Sequence, residues 1–201
     1  MKAKSPYQRK KRNQYYRGVV YEFNLPAGHS CPFAATCLVK VNRETGKFVN
    51  ESEDYRCYAA SAERFPSVRD SRWQNFDNAR KGIVPDPPKL AKSIRVHASG
   101  DFFNQDYFDK WMDIARKHSD KEFWAYTKSL KYWVRRLGSI PENFVLTASV
   151  GGRDDHLIAE HNLKNVIVVA SETDTYLPID MNDDLARNPA IKQFALVDNY
   201  A

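Results

Sequence analysis

The sequence predicts an α/β fold built on a six-stranded, mainly parallel sheet. Three observations predict it. Short apolar β-type runs alternate with helix-type segments over residues 94–198, the pattern of a parallel sheet covered by helices. Each run is apolar through its body and polar at its C-terminal end, and in such folds sites lie at those ends. No Gly-x-Gly-x-x-Gly follows the first run, which turns the reading away from a dinucleotide-binding sheet. Six β/α units fit either an open doubly wound sheet or an incomplete barrel, with right-handed crossovers.

Taken in order, the first strand is residues 19–24 (VVYEFN), stopped by Pro26 and Gly28. A long polar loop follows, residues 28–58, with a turn at residues 44–47 (ETGK). Residues 57–64 suit a helical turn or two. Ser67 is placed to cap a helix running to Lys81, with Gly82 at its end and Trp73 and Phe76 on its core face. Pro85, Pro87 and Pro88 make residues 83–92 an extended connection. The remaining strands are residues 94–98 (IRVHA), 122–127 (EFWAYT), 143–149 (NFVLTAS), 166–171 (VIVVAS) and 194–198 (FALVD). Helices fall between them at residues 105–117, capped by Asn104 or Asp106, at 131–137, ended by Gly138, and at 155–160. Residues 173–188 read as acidic and irregular.

At 201 residues, 42% of them hydrophobic, the chain suits one domain with a substantial core. No apolar run approaches a membrane span, so no membrane partner is expected. The net charge of +6 is uneven: residues 1–17 carry seven basic residues and no acidic ones, leaving the remainder at −1. We therefore divide the chain into a basic, flexible arm (1–17) and a single α/β domain (18–201). Such an arm can bind nucleic acid, with Tyr7, Tyr15 and Tyr16 available to stack on bases or to pack on the domain.

All three cysteines lie on the one loop, spaced Cys31-x5-Cys37-x19-Cys57. An odd number in one polar segment, with no signal peptide, argues against a disulfide framework and for a reducing, cytoplasmic setting. Three thiolates can hold three irons of a cubane cluster, 4Fe-4S or 3Fe-4S, or can hold zinc with a fourth ligand, for which His29 is nearest. The spacing matches neither zinc-ribbon pairs nor ferredoxin runs, and three unrelated buried thiols are the plain alternative. The loop leaves the C-terminal end of the first strand, so its thiols should meet the polar strand ends: Ser99, Gly100 and Asp101, Thr127 and Lys128, and Ser149. Arg56, Arg64 and Lys128 are the cations expected to tune a cluster there. His97, inside a strand, reads first as a core histidine.

The stretches LPAGHSCPFAATC (25–37), RCYAASAERFPSVRDSRWQNFD (56–77), VHASGDFFNQDYFDKW (96–111), FWAYTKSLKYWVRRLGSIPENFVLTASVGG (123–152) and DHLIAEHNL (155–163) resemble the phage "gene product 88" family, over residues 25–198. The resemblance implies a phage protein working in the host cytoplasm. The family's fold and cysteine loop are in turn similar to a reduced form of the radical SAM enzymes. That remoter likeness implies an incomplete (β/α)6 TIM-like barrel and a cluster on Cys31, Cys37 and Cys57. It further implies that Ser99-Gly100-Asp101 stands where those enzymes hold S-adenosylmethionine, with Lys128 and Ser149 nearby. The loop is more open than the Cys-x3-Cys-x2-Cys of radical SAM enzymes. The expected function is thus an iron–sulfur protein with redox or SAM-dependent radical chemistry and a redox partner. The alternative is a zinc-stabilised nucleic-acid-binding module that uses residues 1–17.

Overall fold

The computed structural model describes residues 5–9, 19–35, 37–49 and 57–198. Strand order in the sheet follows chain order: β1 (Tyr7–Arg9), β2 (Val20–Phe23), β3 (Ser93–Val96), β4 (Glu122–Thr127), β5 (Phe144–Ser149), β6 (Asn165–Val169) and β7 (Gln193–Val197). From β2 to β7 every pairing is parallel; β1 runs antiparallel to β2, with Tyr7 opposite Phe23 and Arg9 opposite Tyr21. The sheet is open, with β1 and β7 as its edges, and does not close into a barrel.

The sequence reading counts six strands, and the described residues form a sheet of seven. The added strand is β1, inside the stretch expected to be a flexible arm. It holds because Tyr7 is buried: its ring packs 5.3 Å from Phe23 and its hydroxyl donates to the Pro85 carbonyl at 2.7 Å. Asn75 Nδ2 donates to the Pro6 carbonyl at 2.9 Å and secures the same segment. Of the two roles open to Tyr7, the structure gives it packing. The rest of the arm, residues 1–4 and 10–17 with Tyr15 and Tyr16, lies outside the described residues, as does Arg56.

Period-two alternation sorts the strand residues onto two faces. Phe23, Ile94, Val96, Phe123, Ala125, Phe144, Leu146 and Ala148 face the larger core. After the short α1 (Tyr58–Ser61) come α2 (Pro66–Ala79), α3 (Gln105–Lys117) and α4 (Leu130–Val134), which meet them through Phe76, Phe108, Trp111 and Trp133. Trp124, Val166 and Phe194 face the other way, into a second core to which α6 (Asp184–Arg187) supplies Ala186, whereas Leu157 and Ile158 of the short α5 (His156–Glu160) pack against the larger core. The polar residues of the second face are tied together as well: Asp183 accepts from Arg95 Nη1 at 3.1 Å and from the Tyr126 hydroxyl at 2.8 Å. The segment expected to be irregular, residues 173–188, therefore carries a helix that covers this face.

Helix boundaries shift in ways the sequence explains. Pro66 is the first residue of α2, where its missing N–H costs nothing; Ser67 is inside the helix and is not its cap. Asn104 is the α3 cap, accepting from the Tyr107 amide at 2.8 Å. Gly82 takes the left-handed conformation (φ +75°) just past α2, as a terminator should. The expected turn at residues 44–47 forms, with Asn42 Oδ1 accepting the Glu44 and Thr45 amides. No helix among the described residues is long and apolar enough to cross a membrane.

Candidate functional site

The C-terminal ends of β2 to β5 form a hydrogen-bonded ledge, and the cysteine loop rests on it. At the β2–β3 end the Leu25 amide donates to the Ser99 carbonyl at 2.9 Å, and Ser99 Oγ donates to the Leu25 carbonyl at 2.9 Å. Asn24 Oδ1 accepts the Ser99 amide at 3.1 Å. Gly100 (φ +85°) lies so close beneath the loop that a Cβ there would stand 2.5 Å from Ser30 Oγ and 2.6 Å from Leu25 Cβ. Ser30 Oγ in turn donates to the Pro26 carbonyl at 2.7 Å. At the β5 end Ala34 bridges Gly152, and the Arg153 amide donates to the Phe33 carbonyl at 2.9 Å. Phe33 packs edge-on to Tyr132 at 5.3 Å. The loop therefore crosses the sheet edge from β2 to β5.

Asp101 is the buried carboxylate of the ledge. Oδ1 accepts from the Phe102 amide at 2.7 Å and from Thr127 Oγ1 at 2.6 Å, and Oδ2 from the Lys128 amide at 2.8 Å. Burial pushes its pKa up to about 6 against the pull of those donors. The Lys128 ammonium turns away from this carboxylate toward the end of β5. It donates to the Ser149 carbonyl and Ser149 Oγ, each at 3.0 Å, and to the Val150 carbonyl at 2.7 Å. Ser99, Gly100, Asp101, Lys128 and Ser149 are thus brought together as expected. Their hydrogen bonds are made with one another and with neighbouring strand-end residues, and Gly100 lies in close contact with Ser30 of the loop, which gives them a holding role.

The three thiols share this neighbourhood, each half-buried and free of any disulfide. Burial pushes the Cys31 thiol up first, then the Asp101 carboxylate, and the other two cysteines add to it; the Gly28 amide opposes them. Burial also raises Cys37, with Lys128 lowering it and Cys57 and Asp101 raising it. For Cys57 burial again leads, offset by the Ala60 and Ala59 amides and by Arg72, and reinforced by Glu63. Each of the three thiols thus lies within electrostatic reach of at least one of the others. Among the described residues no group of three or more His, Cys, Asp or Glu side chains could hold a metal ion as it stands. His29, the proposed fourth ligand, hydrogen-bonds through Nε2 to the Val41 carbonyl at 3.0 Å and packs its ring 4.8 Å from Trp73.

Under the loop lies a small apolar core of Ala27, Val39, Val41, Ala59 and Ala60, against which Cys57 packs. It draws on residues near each cysteine. Gly28 (φ +68°) makes its close approach possible, since a Cβ there would stand 2.3 Å from the Val39 carbonyl oxygen. Inside this base the fully buried Glu63 pairs with Arg72 at 2.8 Å. The sequence reading brings Arg64 near the loop but passes over Glu63, a glutamate in a helical turn that nothing local marks as buried. Arg64 is exposed; Arg69 and Arg72 are buried, and Arg69 binds the Arg43, Glu63 and Arg64 carbonyls. His97 belongs to the helix-side core, with Nε2 2.8 Å from the Tyr107 hydroxyl.

Comparison with known proteins agrees on one family. The sequence model of the family described as Gene product 88 matches residues 2–197. The chain is 28% identical over 131 residues to the Gene 88 protein of Mycobacterium phage D29, covering 55% of this chain and 48% of that protein. To the Gene 88 protein of Mycobacterium phage L5 it is 27% identical over 131 residues, with the same coverage. The chain thus spans about half the length of the curated relatives it matches. No solved structure matches it. These matches lend no support to a radical SAM relationship. Nearly the whole of the chain, cysteine loop and ledge included, falls within the match, and the protein belongs to the Gene product 88 family.

Proposed function

We propose that this phage-type protein is an iron–sulfur protein whose cluster is held by the thiolates of Cys31, Cys37 and Cys57, on an open arc of parallel strands. The observation that carries the reading is the presence of three free, half-buried thiols on one loop that rests on the strand ends. Buried together as neutral thiols they are tolerable; as thiolates they need a cationic centre among them. A single zinc ion would draw the three sulfurs to one point, at about 2.3 Å each, and need a fourth ligand. A cubane gives each thiolate its own iron and so accommodates a wider set.

When bound, the cluster would supply one-electron redox chemistry at a potential set by charge, hydrogen bonding and exposure. This chain's residues would set those terms. The Gly28, Ala59 and Ala60 amides bear on the sulfurs, Lys128 favours the Cys37 thiolate and Arg72 the Cys57 thiolate. The Asp101 carboxylate is occupied by the Phe102 and Lys128 amides and by Thr127, and Gly100 by its close contact with Ser30, so S-adenosylmethionine binding is tested on the loaded protein. The zinc-stabilised nucleic-acid reading loses Tyr7 as a stacking residue, since Tyr7 is buried in the domain core.

The test is anaerobic reconstitution followed by iron, sulfide and zinc analysis and a visible spectrum. The expected result is a brown protein with about three to four irons and matching sulfide per chain, lost in Cys31→Ser, Cys37→Ser or Cys57→Ser. A colourless protein, or one zinc per chain that displaces iron, overturns the reading. Adding S-adenosylmethionine to the loaded protein then decides whether an open iron takes it, by a change in the cluster's spectrum.

A further inference from the structure

Glu63 and Arg72 are buried in the base of the cysteine loop, Glu63 completely. Their contacts reach both ends of that loop. Glu63 Oε1 accepts the Ala27 amide at 2.7 Å and Arg72 Nη1 at 2.8 Å. The same Arg72 Nη1 donates to the Ala59 carbonyl at 2.7 Å. Ala27 adjoins Gly28, whose amide bears on the Cys31 sulfur, and the Ala59 amide bears on the Cys57 sulfur. A single carboxylate–guanidinium pair therefore ties the chain before Cys31 to the chain after Cys57.

We infer that the Glu63–Arg72 pair is a positioning device that sets the separation of the Cys31 and Cys57 thiols. Three further facts carry this beyond a general stabilising role. First, the tie joins segments about thirty residues apart in sequence, one leaving β2 and one opening the helical turns at residues 58–64; residues 50–56 between them lie outside the described residues. Second, Arg69 braces the same carboxylate's backbone: its Nη1 donates to the Glu63 carbonyl at 2.9 Å and its Nε to the Arg43 carbonyl at 2.7 Å, so Glu63 is fixed at both its main chain and its side chain. Third, Glu63 Oε2 and Arg72 Nε are buried without hydrogen-bond partners. A pair kept buried at that cost serves geometry better than stability, because an apolar pair of similar volume would stabilise the fold at least as well.

The inference deepens the cluster proposal and rests on it only where a loaded cluster is measured. Its test uses two variants of the full chain. Glu63→Leu with Arg72→Met replaces the ion pair by apolar side chains, which keeps a fillable core and cuts the tie from Ala27 to Ala59. Glu63→Gln keeps an acceptor for the Ala27 amide and removes the charge facing Arg72. Thermal unfolding reports the fold. In metal-free protein, bridging by dibromobimane, with the bridged peptides mapped by mass, reports how often Cys31 and Cys57 meet. In loaded protein, iron loss to a chelator reports retention.

The double variant is expected to unfold near the wild-type temperature, to bridge Cys31 with Cys57 about tenfold more slowly, and to hold the cluster roughly 10–100-fold less tightly, the range for groups that orient metal ligands. Glu63→Gln should fall between the two. A folded double variant that bridges and retains iron like the wild type overturns the inference and leaves the cluster proposal standing. Slower bridging in a protein that never takes up iron upholds the positioning role and removes the cluster proposal. If the double variant fails to fold, Glu63→Gln decides by the same readouts: wild-type bridging in that variant overturns the inference.

Discussion

His97 holds φ at +68°, a conformation uncommon outside glycine in which Asn, Asp and His are the enriched side chains, and its ring enters the helix-side core between Phe102, Tyr107 and Trp111. Burial lowers its pKa from 6.5 to about 3, so the folded protein keeps it neutral. The unfolded chain binds this proton first. The stability it contributes is complete above pH 6.5 and is lost as pH falls toward 3, at about 1.4 kcal/mol per pH unit. Asp101 works in the opposite sense: its folded pKa is raised from 3.8 to about 6, so its cost to the fold is relieved as pH falls through that window. Between pH 6 and 4 the two slopes nearly cancel, and the wild type alone would hide both. His97→Asn suits the left-handed backbone and does not titrate. Urea unfolding of the two proteins from pH 7 to pH 3 should show their stability difference shrinking by about 1.4 kcal/mol per unit. Parallel pH profiles would mean that His97 is not held neutral. A core role for His97 is legible in the sequence, because a histidine within an apolar strand run is usually core. The burial of Glu63 is not, since it depends on Arg72 arriving from a separate helix.

Among elements, the seating of the loop on the strand ends depends on Gly100, and a second glycine supplies the control. Gly100 and Gly82 both have positive φ, at +85° and +75°. A Cβ at Gly82 would meet nothing within 4 Å, whereas one at Gly100 would stand 2.5 Å from Ser30 Oγ. Gly82→Ala should therefore carry only the backbone penalty, roughly 1 kcal/mol. Gly100→Ala carries that penalty plus an overpacking cost of about 1–3 kcal/mol. It should also lift the loop from its ledge, making Cys31 react faster with iodoacetamide while Gly82→Ala leaves that rate unchanged. Equal destabilisation and equal Cys31 reactivity in the two variants would show that the loop is not seated there. At this scale the strands from β2 to β7 were legible because their apolar runs are long enough to be seen. β1 was not: it is three residues, of which only Tyr7 is buried, set among the basic residues that flank it. The start of α2 was misplaced because a proline stops a helix from within but suits its first turn.

For the whole molecule the question is what the N-terminal segment does, since its charge and its burial point to different roles. The charge predicts a solvated arm, and that holds for Gln8 and Arg9, both exposed. Tyr7 is different. It closes the β2 edge of the sheet, packs on Phe23 and reaches Pro85, while Asn75 joins Pro6 to the Asn24 carbonyl at the strand end where the cysteine loop begins. Strand order follows chain order, so without β1 the β2 edge, and the loop that leaves it, would be open to water. Tyr7→Ala should then cost about 3 kcal/mol, the loss expected for a buried aromatic ring. Arg9→Gln should stay within about 0.5 kcal/mol, as exposed substitutions do. Urea midpoints of the two variants at one pH and salt concentration decide between a strand and a tail. If Tyr7→Ala unfolds at the wild-type midpoint, the segment is an arm after all. If it unfolds early, removing residues 1–17 removes β1 from the sheet along with the charge, and any loss of nucleic-acid binding in such a truncation has to be separated from loss of the fold.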